Sequence, residues 1–120
     1  MMEQPMVLIA EDELIVGLDL CNTIEEAGFR TEGPHENISS VLLAMQKDKP
    51  DLAILDINLS DGQVFPLAKM LMDEDVPVIF HSGAYDRRSV EVRFPGVAAL
   101  NKPCSPPEMI MAARKALKPA

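Results

Sequence analysis

The sequence of 120 residues lacks the features that mark several classes of protein. It has only two cysteines, Cys21 and Cys104, which are far apart and form neither a CxxC pair nor a metal-ligand spacing, so free thiols are expected. No apolar run approaches the length of a membrane span. The N-terminal segment has no basic region before its short apolar run, as a signal peptide would have. These absences favour a cytoplasmic protein that does not enter a membrane.

Positive charge is also scarce in this chain. The 11 lysines and arginines are outnumbered by 19 aspartates and glutamates, which gives a formal net charge of -8 at pH 7. Because a nucleic-acid partner requires basic side chains to neutralise its phosphates, no direct nucleic acid binding is expected. The sequence shows no repeat, low-complexity tract or linker, and its length suits a single domain, which we predict to span residues 1–120.

Short apolar runs alternate along the chain with longer amphipathic segments. Four runs are continuously apolar, as expected for strands that are covered on both faces, and a weaker strand candidate lies after the first run. The four runs are VLIA (7–10), LAIL (52–55), VPVIF (76–80) and VAAL (97–100), and the weaker candidate is FRTEG (29–33).

The segments between these runs show the periodicity of helices. Apolar residues at helical spacing predict a first helix that stops at Gly28, a second over 38–45 and a third over 64–71. The last helix begins at an S-x-x-E capping box, residues 105–108, with proline at its first position. The fourth helix is expected to be short or irregular, because residues 89–94 (SVEVRF) alternate like a strand.

Five strands in alternation with five helices predict a parallel sheet with helices on both faces. The fold class predicted for this chain is α/β, a flavodoxin-like (βα)5 three-layer sandwich with strand order 2-1-3-4-5.

Polar residues follow four of the predicted strands. Glu11 and Asp12 follow the first strand, Asp56 the third, Ser82 the fourth and Lys102 the fifth. Since the carboxyl ends of parallel strands share one edge of a sheet, these side chains should converge. Two carboxylates about 4 Å apart repel by roughly 4 kcal/mol at an effective dielectric constant of about 20, so one lysine is too little compensation. The carboxylates therefore predict a Mg²⁺ site.

The remaining polar groups extend this prediction to a phosphoryl group. The hydroxyl of Ser82 and the ammonium of Lys102 would face the same crevice and are suited to bind phosphoryl oxygens. A carboxylate such as Asp56 can accept a phosphoryl group when a metal neutralises charge and fixed donors position the transferring group.

This set of residues resembles the receiver domain of two-component response regulators over essentially the whole chain. The resemblance rests on the acidic pair Glu11 and Asp12, the lone Asp56, the strand-end Ser82 and the Lys-Pro step that begins at Lys102. It implies that Asp56 accepts a phosphoryl group from a sensor histidine kinase or a histidine phosphotransfer protein. Ser82 and Lys102 would then bind the phosphoryl oxygens.

The same resemblance implies the metal ligands and one backbone feature. Asp12 and Asp56 would bind Mg²⁺ directly, Glu11 would act mainly through water, and the backbone carbonyl of Asn58 would complete the protein ligands. The bond between residue 102 and Pro103 is expected to be cis, as in the family.

Two segments are similar to a receiver subclass known as FAT GUY, often found as single-domain regulators. VPVIFHSGAYD (76–86) is similar to the PFxFATGY signature, and NLSDGQVFPLA (58–68) also resembles that subclass. The chain departs from the common receiver pattern at Ala99, where an aromatic switch residue is usual, so we hypothesise that Tyr85 takes over some of the switching. In most receivers a longer loop separates the acceptor aspartate from the following glycine, whereas here Gly62 comes two residues early. Asp61 is expected to cap this shortened turn or the helix that follows.

The implied function is a phosphorylation-controlled switch, not an enzyme with a further substrate. Its output would be contact with an unknown downstream protein effector, through the last two strand and helix units, and the chain would be a monomer or weak dimer. One alternative is a phosphatase of the haloacid dehalogenase type, which usually needs a second aspartate where Asn58 stands. Another is a pseudo-receiver that binds partners without phosphorylation, and a receiver excised from a longer regulator also remains open.

Overall fold

The structure, a computed structural model, describes residues 4–118, apart from the side chains of residues 84–87. Strands and helices alternate along the chain, with one short hairpin after the third strand. The strands are β1 (Met6–Ala10), β2 (Arg30–His35), β3 (Leu52–Leu55), β4 (Asn58–Leu59), β5 (Gly62–Gln63), β6 (Val78–Ser82) and β7 (Ala98–Asn101). The helices are α1 (Leu14–Glu26), α2 (Ile38–Lys47), α3 (Phe65–Asp73), α4 (Ala84–Arg93) and α5 (Pro106–Ala116).

Five of the strands form one parallel sheet in the order β2-β1-β3-β6-β7. The two short strands β4 and β5 pair with each other in a separate antiparallel hairpin. When that hairpin is set aside, the order is the predicted 2-1-3-4-5, and the flavodoxin-like prediction is confirmed. β1, β3 and β6 are buried along their whole length, which explains why their sequences are continuously apolar.

The helices cover the two faces of the sheet and create two hydrophobic clusters. Alternate residues of β1 point to opposite faces, so Leu8 joins one cluster and Ile9 the other. On Leu8's face lie the buried side chains of α2, α3 and α4, such as Val41 and Leu71, whereas Ile9 packs on the side of α1 and α5. In this three-layer arrangement the carboxyl ends of the parallel strands lie along one edge of the sheet.

The helix boundaries follow the chemical signals in the sequence. α1 ends two residues before Gly28, which has a positive φ of 97°. Pro66 lies in the first turn of α3, and the Ser105 side chain accepts the Glu108 N–H at the start of α5, as the capping box predicts. Within residues 4–118, no helix is long and apolar enough to cross a membrane.

The fourth helix corrects one expectation. In place of a short or irregular helix, α4 is a continuous helix of ten residues, one more than α3. Residues 89–93 form only its last turns, and among its described side chains Val90 is the buried one. A helix that buries so little has a weak apolar periodicity, so the pattern did not reveal its length.

Candidate functional site

Three carboxylates meet at the carboxyl ends of β1 and β3. Oxygen atoms of Glu11, Asp12 and Asp56 lie within 4.8 Å of one another. Glu11 and Asp56 are buried, with 2% and 8% of their surface exposed, whereas Asp12 is exposed. The Asp56 N–H donates to the carbonyl of Ala10 at 2.9 Å, which holds the two strand ends side by side. The structure thus brings together the acidic residues that the sequence predicted to converge.

Lys102 is the cation of this cluster. Its Nζ lies 2.6 Å from Glu11 Oε1 and 3.0 Å from Asp56 Oδ2. Its backbone N–H donates to the carbonyl of Ser82 at 2.8 Å, which joins it to the end of β6. The bond between Lys102 and Pro103 is cis, as predicted. One ammonium group is therefore shared between two buried carboxylates.

The electrostatics of the cluster show a shortage of positive charge. Burial raises the pKa of Glu11 to about 7, although Lys102 acts in the opposite direction. Burial also raises the pKa of Asp56, and again Lys102 offsets only part of the effect. Burial alone would lower the pKa of Lys102, but its contacts with Glu11 and Asp56 raise it overall. A further cation would relieve this shortage.

The donor atoms of the cluster fit Mg²⁺. Glu11, Asp12 and Asp56 offer only carboxylate oxygens, which are the ligands that this hard cation prefers. Asn58 follows two residues after Asp56, as the first residue of β4, where it pairs with Gln63. Its backbone carbonyl stays a predicted ligand.

Ser82 and His81 complete this edge of the sheet. Ser82 is the last residue of β6 and is fully buried, yet its hydroxyl has no hydrogen-bond partner among the described residues. The same holds for both ring nitrogens of His81, which the site prediction did not include. Burial, with a smaller contribution from Lys102, lowers the pKa of His81 to about 4. Its position directly before Ser82 was the only signal in the sequence.

Asp61 has a different role from the one expected. It caps neither the turn nor α3, but the start of α2: its carboxylate accepts the N–H of Ile38 at 2.6 Å and the N–H of Ser39 at 3.2 Å. The Ile38 N–H is the main reason that the pKa of Asp61 is lowered. The contact joins residues 22 and 23 positions apart, so local sequence patterns could not identify it.

At position 99, where the common receiver pattern has an aromatic switch residue, the chain has alanine, and the aromatic rings of this region come from other residues. Ala99 lies in β7 opposite Phe80. The ring of Phe80 stacks on Phe94 with a centroid distance of 5.6 Å, and Phe65 lies 6.1 Å from Phe80. The switching hypothesis for Tyr85 falls outside the described side chains and stays a hypothesis.

A partly apolar cavity of about 500 Å³ opens beside Lys102, between α1 and the segment that leads into α5. Ile15 and Met109 are among the residues that line it. Three large apolar side chains of α1 are strongly exposed, namely Leu14, Ile15 and Leu18 at 65%, 82% and 51%, and of these Ile15 lines the cavity. An exposed apolar patch of this kind is typical of a protein interaction surface.

Comparisons with known proteins show the family of the chain. The family model described as the response regulator receiver domain matches residues 7–114. The sensory transduction protein LytT of Bacillus subtilis (strain 168) is 33% identical over 87 residues, which cover 71% of this chain and 36% of that protein. The phyllosphere-induced regulator PhyR of Methylorubrum extorquens is 33% identical over 104 residues, which cover 83% of this chain and 39% of that protein.

Among solved structures, the receiver domain of the PhyR response regulator from Erythrobacter litoralis has a TM-score of 0.86 and 26% identity. The match covers 98% of this chain and 95% of that domain. By contrast, the chain spans only 36% and 39% of the length of the two curated relatives above.

Proposed function

Since the chain belongs to the response regulator receiver domain family, we propose that it is a phosphorylation-controlled switch whose phosphoryl acceptor is Asp56. One observation carries the proposal: the buried carboxylate of Asp56 lies within 4.8 Å of two other carboxylates and 3.0 Å from the ammonium of Lys102. A structural ion pair would not require three carboxylates around one cation.

The reaction transfers a phosphoryl group from a phosphohistidine to Asp56. The bond between phosphorus and the imidazole nitrogen breaks, a bond between phosphorus and an Asp56 oxygen forms, and the imidazole is released as the leaving group. Asp12 and Asp56, with Glu11 through water and the carbonyl of Asn58, would hold Mg²⁺. When bound, Mg²⁺ would neutralise charge on the carboxylates and on the phosphoryl oxygens.

Two side chains of this chain would bind the phosphoryl group itself. The Ser82 hydroxyl, which has no partner among the described residues, can donate to a phosphoryl oxygen. Lys102 Nζ already lies 3.0 Å from the acceptor carboxylate, so its ammonium can bind a phosphoryl oxygen on Asp56. The chemistry is self-catalysed and needs no other substrate.

The partners belong to the proposal as well. The phosphoryl donor would be a sensor histidine kinase or a histidine phosphotransfer protein, docked on the exposed apolar side chains of α1 beside the site. A downstream protein effector would bind the last two strand and helix units, where Val92 and Met111 are exposed. The proposal accordingly includes a cytoplasmic location, where such partners would meet the chain.

The test uses acetyl phosphate or beryllofluoride with Mg²⁺. Intact mass and amide spectra should show an adduct in the wild type and none in Asp56→Asn. Asp51→Asn is the matched control, since Asp51 is an exposed aspartate that precedes β3 at the opposite end of that strand, and it should keep the adduct. An adduct that survives Asp56→Asn would refute the proposal, and Asp56-dependent turnover of a phosphomonoester would point to a phosphatase.

A further inference from the structure

The chain after the acceptor aspartate folds back at once. Asn58 pairs with Gln63 and Leu59 with Gly62 in the β4–β5 hairpin. The hairpin is closed at its base by the N–H of Val64, which donates to the carbonyl of Ile57 at 2.9 Å. Asn58 is therefore part of this hairpin, and the place of its carbonyl depends on where the hairpin sits.

The tip of the hairpin is held by the start of α2. Asp61 Oδ1 accepts the Ile38 N–H at 2.6 Å, and Oδ2 accepts both the N–H and the hydroxyl of Ser39, at 3.2 and 3.0 Å. The Ser60 N–H donates to the carbonyl of Glu36 at 3.1 Å. Four hydrogen bonds thus join the tip to the segment that enters α2.

The helix has an ordinary cap of its own. The side chain of Asn37 accepts the N–H of Ser40 at 2.8 Å, as an N-cap residue does. Asp61 binds the two preceding N–H groups, those of Ile38 and Ser39. The start of α2 therefore receives one local cap and one cap from a distant loop, and only the distant cap ties the hairpin down.

The acidic loop after β1, which holds Glu11 and Asp12, contacts the same segment. The Glu11 N–H donates to the carbonyl of His35 at 2.8 Å, and His35 Nδ1 lies 2.9 Å from the hydroxyl of Ser40 in α2. The acidic loop after β1 and the hairpin after Asp56 are thus both attached to the start of α2. This shared attachment can fix the positions of the two loops relative to each other.

We propose that Asp61 is a positioning residue for the metal site: by clamping the β4–β5 hairpin onto α2, it fixes the backbone carbonyl of Asn58 relative to Glu11, Asp12 and Asp56. The inference rests on the proposed function, because it assumes that this carbonyl is a ligand of Mg²⁺. Residues that orient a ligand in this way commonly change metal affinity by 10-fold or more when they are removed.

The test is a titration of the full chain with Mg²⁺, followed by amide NMR spectra. Asp61→Ala should weaken Mg²⁺ binding about tenfold. Asp61→Asn, which keeps an acceptor oxygen, should recover part of that loss. Asn37→Ala is the matched control, since it removes the other cap of the same helix and should leave the Kd within about twofold, well below the effect of losing a ligand-orienting residue.

Thermal unfolding of the same variants separates positioning from general stability. Both alanine variants should lower the Tm, because each removes a helix cap, but only Asp61→Ala should change the Mg²⁺ affinity. An unchanged affinity in Asp61→Ala, or an equal loss in Asn37→Ala, would overturn the inference while leaving the proposed function intact. A wild type that binds no Mg²⁺ would overturn both.

Discussion

Polar residues lie at both the amino ends and the carboxyl ends of the sheet strands. The two ends differ in how completely these polar groups find hydrogen-bond or ion-pair partners. At the amino ends, the Asp51 carboxylate accepts the Met6 N–H at 2.8 Å, and the Met6 carbonyl accepts the Asp51 N–H at 2.8 Å. The Arg30 N–H donates to the carbonyl of Pro5 at 3.0 Å, and its side chain donates to the carbonyl of Gln4. Each of these groups has a partner that joins neighbouring segments.

At the carboxyl ends, the polar groups are more deeply buried and less well paired. Glu11 and Asp56 share the single ammonium of Lys102, and among the described residues Ser82 Oγ and both ring nitrogens of His81 have no hydrogen-bond partner. An unpaired polar group in the interior costs free energy. The comparison therefore separates polar residues that hold the strands together from polar residues that are kept at a cost for the chemistry of the site.

The largest expected effect comes from removing the shared cation. Lys102→Met should lower the free energy of unfolding by about 3 kcal/mol at neutral to basic pH in a chelating buffer, because two buried carboxylates lose their counter-charge. Urea denaturation measures the loss, and added Mg²⁺ should restore part of it. In Lys69→Met, the control, an exposed pair with Asp73 is lost, which should cost less than about 1 kcal/mol. Equal losses in the two variants would remove the distinction between the buried site and an ordinary surface pair.

A smaller change in the free energy of unfolding is expected from the protonation of His81 at acidic pH. Its pKa is lowered from 6.5 to about 4 by burial, so the unfolded chain binds a proton that the folded chain does not between these values. Stability should therefore fall as the pH drops from about 6.5 to 4, by at most about 3 kcal/mol from this residue. His81→Gln should lose this part of the pH dependence, and His35→Gln should keep it. Parallel curves for all three proteins, measured by urea denaturation, would contradict the assignment.

Much of the fold and of the site could be predicted because the sequence signals for strands are local. The parallel topology then determines which strand ends, and therefore which polar residues, come together. The continuously apolar runs identified β1, β3 and β6, and parallel strands bring their carboxyl ends together, so Asp56 was expected beside Glu11. The partner of Asp61 was not predicted, because its hydrogen bonds join residues 22 and 23 positions apart. The length of α4 was underestimated because Val90 is its one buried residue among the described side chains.

The smallest effect compares the same substitution at the two ends of β3. Asp56→Asn should raise the free energy of unfolding by about 1 kcal/mol in a chelating buffer, since burial raises the pKa of Asp56 and the ionised form is therefore disfavoured in the folded chain. Lys102 would keep Glu11 as its partner at 2.6 Å. Asp51→Asn should instead lower stability by about 1 kcal/mol, because a neutral amide replaces the carboxylate that accepts the Met6 N–H. Opposite signs in urea denaturation would confirm that the two ends differ, whereas destabilisation by both variants would show that Asp56 also serves the fold.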